Sequence, residues 1–186
     1  MKSKSSANSA KGFGVSQRSA QTGRSPQSPP EATASLAPYV RSLPLVIDAM
    51  LELGQVTAED CVYDLGCGDG RMLLTAAQRR GVRGLGVDID PERIKEANAA
   101  AHQLGLLSQV RFQQQDLLTL DLSPATVVMF YLLPQSNLKL RQKLQRELAP
   151  GSCILTHSFD MGDWPPTGTA QVSDVINTYN IYLWRV

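Results

Sequence analysis

Apolar residues recur along this chain in two rhythms, one helical and one of short buried strands. Leu45, Val46, Ala49, Met50 and Leu53 fall at helical spacing, and Gly54 follows as a stop. The run Cys61-Val-Tyr-Asp-Leu65 then predicts a buried strand that enters the glycine cluster Gly66-Cys-Gly-Asp-Gly70. A helix is predicted over 72–80 with Gly81 ending it, and a second strand over 82–87. Pro91 opens the next helix at its favoured first position and Gly105 closes it. Further strands are predicted over 109–113 and 125–131, a helix over 137–148, a fifth strand over Cys153 to His157, and a closing hairpin over 172–186. Strands alternating with helices predict an α/β fold, its parallel sheet covered on both faces. Such a sheet binds ligands at the carboxyl ends of its strands, near the point where strand order reverses. The glycine cluster stands at one of those ends.

Composition changes the picture at the front of the chain. Residues 1–34 are rich in Ser, Ala, Gly, Gln and Pro and hold almost no large apolar side chains. Such a segment cannot bury enough surface to offset its ordering entropy, so it is expected to be a disordered tail ahead of one domain over 35–186. Its basic, Ser-rich character resembles a transit peptide, although its Pro and Gly content works against an amphipathic helix. Residues 1–40 carry five basic side chains against one acid, while the remainder carries 13 basic and 16 acidic ones, a net of −3. The folded part thus has no broad basic surface, and nucleic acid is not expected as a partner. Three cysteines without Cys-x-x-Cys spacing suggest neither a disulfide framework nor a zinc site, and a reducing, cytoplasmic setting is expected. No apolar run reaches the roughly 18 residues a spanning helix needs, so no integral membrane segment is expected.

The chemistry is carried by acids placed around the glycine turn. A glycine-rich turn after the first strand lets a ligand approach the backbone and exposes amides at the next helix start. Here the spacing is Gly66-x-Gly68-x-Gly70 rather than the Gly-x-Gly-x-x-Gly of dinucleotide sites. Asp64 precedes it and Asp69 lies within it; carboxylates there would repel a pyrophosphate and tolerate a ligand bearing an ammonium and a sulfonium. Asp88 ends the second strand, where an acid accepts hydrogen bonds from ribose hydroxyls, and Asp116 follows the third strand within reach of an adenine edge. Each of these acids also has an ordinary use in turns and caps. Together they point to S-adenosylmethionine (AdoMet) as cofactor.

Through Val62-Tyr-Asp-Leu-Gly-Cys-Gly-Asp-Gly-Arg71, Gly86-Val-Asp-Ile-Asp-Pro91 and Phe112-Gln-Gln-Gln-Asp116, the chain resembles the class I AdoMet-dependent methyltransferases from about Tyr39 onward. The resemblance implies a Rossmann-like, mostly parallel sheet of seven strands. It also implies that Asp64, Gly66 and Gly68 line the methionine part of the cofactor, Asp88 the ribose and Asp116 the adenine. The fourth strand ends without the Asp/Asn-Pro-Pro-aromatic run of amino-methylating nucleic-acid enzymes, and the chain lacks a carboxylate cluster for Mg²⁺.

Phe130-Tyr-Leu-Leu-Pro134 and His157-Ser-Phe-Asp-Met-Gly-Asp-Trp164 are similar to the lysine methyltransferases of the ATP synthase c-subunit and adenine nucleotide translocase type. That resemblance implies a protein substrate bearing an accessible lysine. It carries over Tyr131 and Trp164 as walls of an amine channel and Asp160 as a polar group at its mouth. The family's Tyr-Val-Pro-Ser/Thr reads here Tyr39-Val-Arg-Ser42, and the membrane segment of its animal members is absent. His157 is open to a core or a proton-accepting role, and Lys139, Lys143 and Arg146 read as a solvated stripe. A small-molecule N- or O-methyltransferase and a non-catalytic AdoMet-binding protein share the same cofactor site as alternatives.

Overall fold

The computed structural model describes residues 41–186; the tail expected over 1–34, and Tyr39, lie outside the described residues. The chain folds in the order α1 (Pro44–Leu53), β1 (Cys61–Leu65), α2 (Arg71–Arg80), β2 (Arg83–Asp88), α3 (Pro91–Gln103), β3 (Val110–Gln114), β4 (Val127–Phe130), α4 (Pro134–Glu147), β5 (Cys153–His157), β6 (Gly168–Ser173) and β7 (Thr178–Arg185). The strands form one seven-stranded sheet in the order β3-β2-β1-β4-β5-β7-β6. The first five are parallel, and β7 pairs antiparallel with both β5 and β6.

The alternation of buried side chains sorts the sheet into two cores. Val62, Met129, Leu155 and Ile181 face a core shared with α1, α2 and α3. Tyr63, Val128, Phe130, Ile154 and Trp184 face the other, closed by Leu140 and Leu144 of α4 and by Leu117, Leu120 and Leu122 after β3. Strands buried on both faces read as continuous apolar runs, which is why β1, β4 and β5 were legible.

Helix starts follow backbone chemistry. Pro44, Pro91 and Pro134 each stand in the first turn of a helix, where a missing amide costs nothing. Asp90 caps α3 by accepting from the Glu92 amide at 2.9 Å. α2 starts instead from Gly70 at φ +79, a left-handed conformation that side chains resist. A Cβ on Gly70 would meet the Phe112 ring at 2.7 Å, so the turn lies flat against β3.

Three elements differ from expectation by more than one residue. α4 begins at Pro134 rather than at residue 137. β4 is limited to Val127–Phe130, because Ala125 is held in a turn by Leu122 and Tyr131 leaves the ladder. The hairpin begins at Gly168, four residues before its expected start.

Candidate active site

The parallel strands end side by side, so sheet order fixes the sequence of groups along that edge: Asp116 after β3, Asp88 on β2, the glycine turn after β1, Tyr131 after β4 and His157 on β5. Chain order reverses between β1 and β4, the position where α/β sheets open a crevice.

The turn after β1 is fixed by its neighbour strand. The amides of Gly66 and Cys67 both donate to the Val87 carbonyl, at 2.8 and 2.9 Å. The Gly68 amide donates to Asp88 Oδ2 at 2.9 Å, while Asp88 Oδ1 accepts from the Asp90 amide at 3.0 Å. Asp88 is thereby oriented and retains lone pairs for a ligand, since a carboxylate offers about four acceptor sites. Gly66, Gly68 and Gly70 all have positive φ, and a Cβ at Gly66 would stand 2.9 Å from Leu132 Cδ2.

Asp64 is 1% exposed, and neither of its carboxylate oxygens has a hydrogen-bond partner among the described residues. Burial lifts its pKa to about 7; the nearby Leu73 amide opposes this, and the charges of Asp88 and Asp69 add to it. An orphaned buried carboxylate is costly unless a donor arrives. Asp69 differs, being held by the Arg71 guanidinium at 2.6 Å and approached by Arg41 at 3.6 Å. Asp116 forms a turn, its Oδ1 accepting from the Leu118 amide at 2.9 Å. The Gln115 amide beside it donates to the Asp88 carbonyl at 3.0 Å. Burial pushes the Cys67 thiol up, which leaves it a poor nucleophile.

The other half of the edge is aromatic. Tyr131 is half-buried, its ring centroid 3.9 Å from that of His157 and 6.2 Å from that of Phe159. Tyr179 meets the imidazole edge-on at 5.6 Å. His157 is 2% exposed, and burial lowers its pKa to about 4, so the ring is neutral at ordinary pH. Its Nδ1 lies 3.1 Å from Ser42 Oγ.

The loop beyond β5 is pinned from two sides. Asn137 Nδ2 donates to the carbonyls of Phe159 and Asp160, each at 3.1 Å, and Thr156 Oγ1 donates to the Phe159 carbonyl at 2.6 Å. Ser158 between them has φ +66. Asp160 is exposed and accepts from the Gly162 amide at 3.0 Å. Asp163 pairs with Arg141.

Of the three acceptor-side residues, the structure does not bring Trp164 to Tyr131. The Tyr131 ring lies with His157 and Tyr179 on the face of α1 and α2, whereas Trp164 packs on Trp184 at 6.0 Å in the opposite core. Its carbonyl accepts from Trp184 Nε1 at 2.9 Å, so it anchors the loop. Ser42, Asn137 and Phe159 join the site without having been singled out from sequence. The serine is 115 positions from its histidine partner, a separation that no local pattern encodes.

Residues 64–168 match the family of ANTKMT methyltransferase domains. The chain belongs to this family of AdoMet-dependent methyltransferases. A protein-lysine N-methyltransferase of Saccharolobus islandicus (strain REY15A) is 38% identical over 80% of this chain and 93% of its own. A human lysine N-methyltransferase of the ATP synthase c-subunit is 28% identical over 67% of this chain, which spans about half (53%) of that relative's length. A Salinibacter ruber structure described as an RNA methyltransferase, in complex with S-adenosyl-L-homocysteine, is 43% identical, covers 78% of this chain and 93% of its own, and superposes with a TM-score of 0.73.

The orphaned Asp64 oxygens, the oriented Asp88 and the positive-φ glycine turn between them fit AdoMet. When bound, it supplies a methyl group on a sulfonium. Among the described residues no helix is long and apolar enough to cross a membrane.

Proposed function

We propose that this chain methylates lysine ε-amines of a protein substrate, with Asp64, Gly66, Gly68, Asp88 and Asp116 holding AdoMet and Tyr131 forming the acceptor wall. The observation that carries the reading is the apolar, uncharged surround of Tyr131 at the ends of β4 and β5, built from a neutral imidazole and Phe159. A lysine ammonium has an ordinary pKa of about 10.4 and no free lone pair. An aromatic, weakly solvated surface favours the neutral amine, and a rigid wall aims its lone pair. Asp160, exposed on the loop nearby, receives the released proton through water. The protein-lysine relatives support this substrate, and the free cysteines support work in the cytoplasm.

A second reading, methylation of RNA, is favoured by the description of the Salinibacter relative. Against it, nine of the 13 basic side chains of residues 41–186 are already engaged in ion pairs, which leaves little basic surface to track phosphates.

Labelled AdoMet and a cell extract separate the two. The expected label is lost with protease, survives ribonuclease and yields methyl-lysine on hydrolysis; label removed by ribonuclease would reverse the order. Tyr131→Ala is expected to lower turnover at least ~10-fold with little change in S-adenosylhomocysteine affinity, because the wall acts on orientation in the chemical step. Normal turnover in that variant would remove Tyr131 from the acceptor site.

A further inference from the structure

We propose that Ser42 and His157 are a positioning pair for the methyl acceptor: the hydrogen bond between Ser42 Oγ and His157 Nδ1 fixes a buried imidazole as the floor on which the Tyr131 ring stands. The inference rests on the reading of Tyr131 as the acceptor wall.

The two residues are 3% and 2% exposed, and the bond between them is 3.1 Å long. Tyr131 packs on the imidazole at 3.9 Å between ring centroids, and Tyr179 meets it edge-on at 5.6 Å. The remaining nitrogen, Nε2, is buried without a partner among the described residues. An apolar ring of the same shape would avoid that desolvation, so the imidazole is explained by what Nδ1 does. Because Nε2 is itself buried, it is not presented to an incoming amine, and the residue acts through its neighbour Tyr131. Burial keeps the ring neutral, so the floor does not repel an ammonium arriving above Tyr131.

Ser42 also ties this floor to the cofactor side. Its hydroxyl lies 3.5 Å from Met72 Sδ, in the first turn of α2 directly after the glycine turn. The preceding Arg41 reaches Asp69 within that turn. The segment ahead of α1 therefore touches the glycine turn and the end of β5 at once. A wall displaced by a fraction of an ångström misdirects the lone pair, and the cost falls on rate rather than on cofactor affinity.

Four variants of the whole chain test the pair: Ser42→Ala, Ser42→Thr, His157→Asn and His157→Gln. An Asn amide reaches the position of Nδ1, a Gln amide that of Nε2. The measurements are methyl transfer to poly-L-lysine, S-adenosylhomocysteine affinity by calorimetry, melting temperature, and, for the Ser42 variants, the NMR shifts of the Tyr131 ring protons, which feel the imidazole ring current. Ser42→Ala and His157→Gln are expected to lower kcat at least ~5-fold with affinity within ~2-fold, and Ser42→Ala to shift the Tyr131 resonances. Ser42→Thr and His157→Asn are expected to keep at least a third of the turnover. A functional Gln variant beside an inactive Asn variant would mean that Nε2 touches the acceptor, and would overturn the proposal. So would turnover losses that simply track melting temperature, or unmoved Tyr131 resonances in Ser42→Ala. If the unaltered protein transfers nothing to poly-L-lysine, the substrate reading is the one that fails; the Tyr131 resonances in the two Ser42 variants still decide the pair.

Discussion

Asp64 and Asp88 are two carboxylates beside the same turn, and the fold treats them oppositely. Asp88 is oriented by two backbone amides. Removing it with Asp88→Ala takes away a ligand acceptor and the contact that holds Gly68, and is expected to weaken S-adenosylhomocysteine binding by about 1–3 kcal/mol. Calorimetry on the folded variant checks this, and an unchanged affinity would count against the ribose assignment. Asp64 has no such support and keeps its proton to about pH 7, against 3.8 for an ordinary aspartate. Between those values the native state binds a proton that the unfolded chain has released. Its contribution to stability is therefore greatest at low pH and falls as pH rises toward 7, by about 1.4 kcal/mol for each step of one in pH across that window. Asp64→Asn should accordingly raise the melting temperature of the ligand-free protein more at pH 8 than at pH 5, while weakening cofactor binding. An equal change at both pH values would show that burial of the charge is not the cause.

Between elements, the joint that matters most links the start of α4 to the end of β5. Asn137 is fully buried in the first turns of α4 and holds the carbonyls of Phe159 and Asp160 across the strained Ser158. Asn137→Ala would take this donor from the Asp160 carbonyl and leave the Phe159 carbonyl with Thr156 Oγ1. It is expected to destabilise the protein by about 2 kcal/mol and to lower turnover, because Phe159 and Asp160 lose their anchorage. Chemical denaturation with a parallel methylation assay measures both, and a variant of normal stability would mean that water replaces the amide at no cost. How far such features could be read from sequence varied with their range. β1 and β5 have the limits the sequence predicts, since each is a largely apolar run, broken by Asp64 in β1 and by Thr156 and His157 in β5, next to turn residues. The glycine turn and the strand ends of Asp88 and Asp116 were legible for the same local reason. β6 was found late, since Gly168-Thr-Ala-Gln offers small and polar residues where an apolar alternation is the signal. The facing of Trp164 was illegible, because a loop has no period from which to deduce a side.

For the molecule as a whole, the described residues already contain the glycine turn, both cores and the Tyr131–His157 ring pair. Residues 1–34 hold few large apolar side chains with which to add to these. Deleting residues 1–34 is therefore expected to leave the melting temperature and S-adenosylhomocysteine affinity nearly unchanged, and a loss of several degrees would contradict this. Sheet order also dictates timing. β7 lies between β5 and β6, so β6 leaves the ribosome first yet has no place in the sheet until β7 has followed it. During synthesis β5 is an open edge until residues 178–185 emerge, and such an edge attracts foreign strands. The five parallel strands that end at the cofactor site need not wait for it. The floor beneath Tyr131 must, because Tyr179 closes His157 from the strand that arrives last. With the acceptor placed at Tyr131 as proposed, competence of a nascent chain to hold the methyl donor precedes its competence to receive an acceptor.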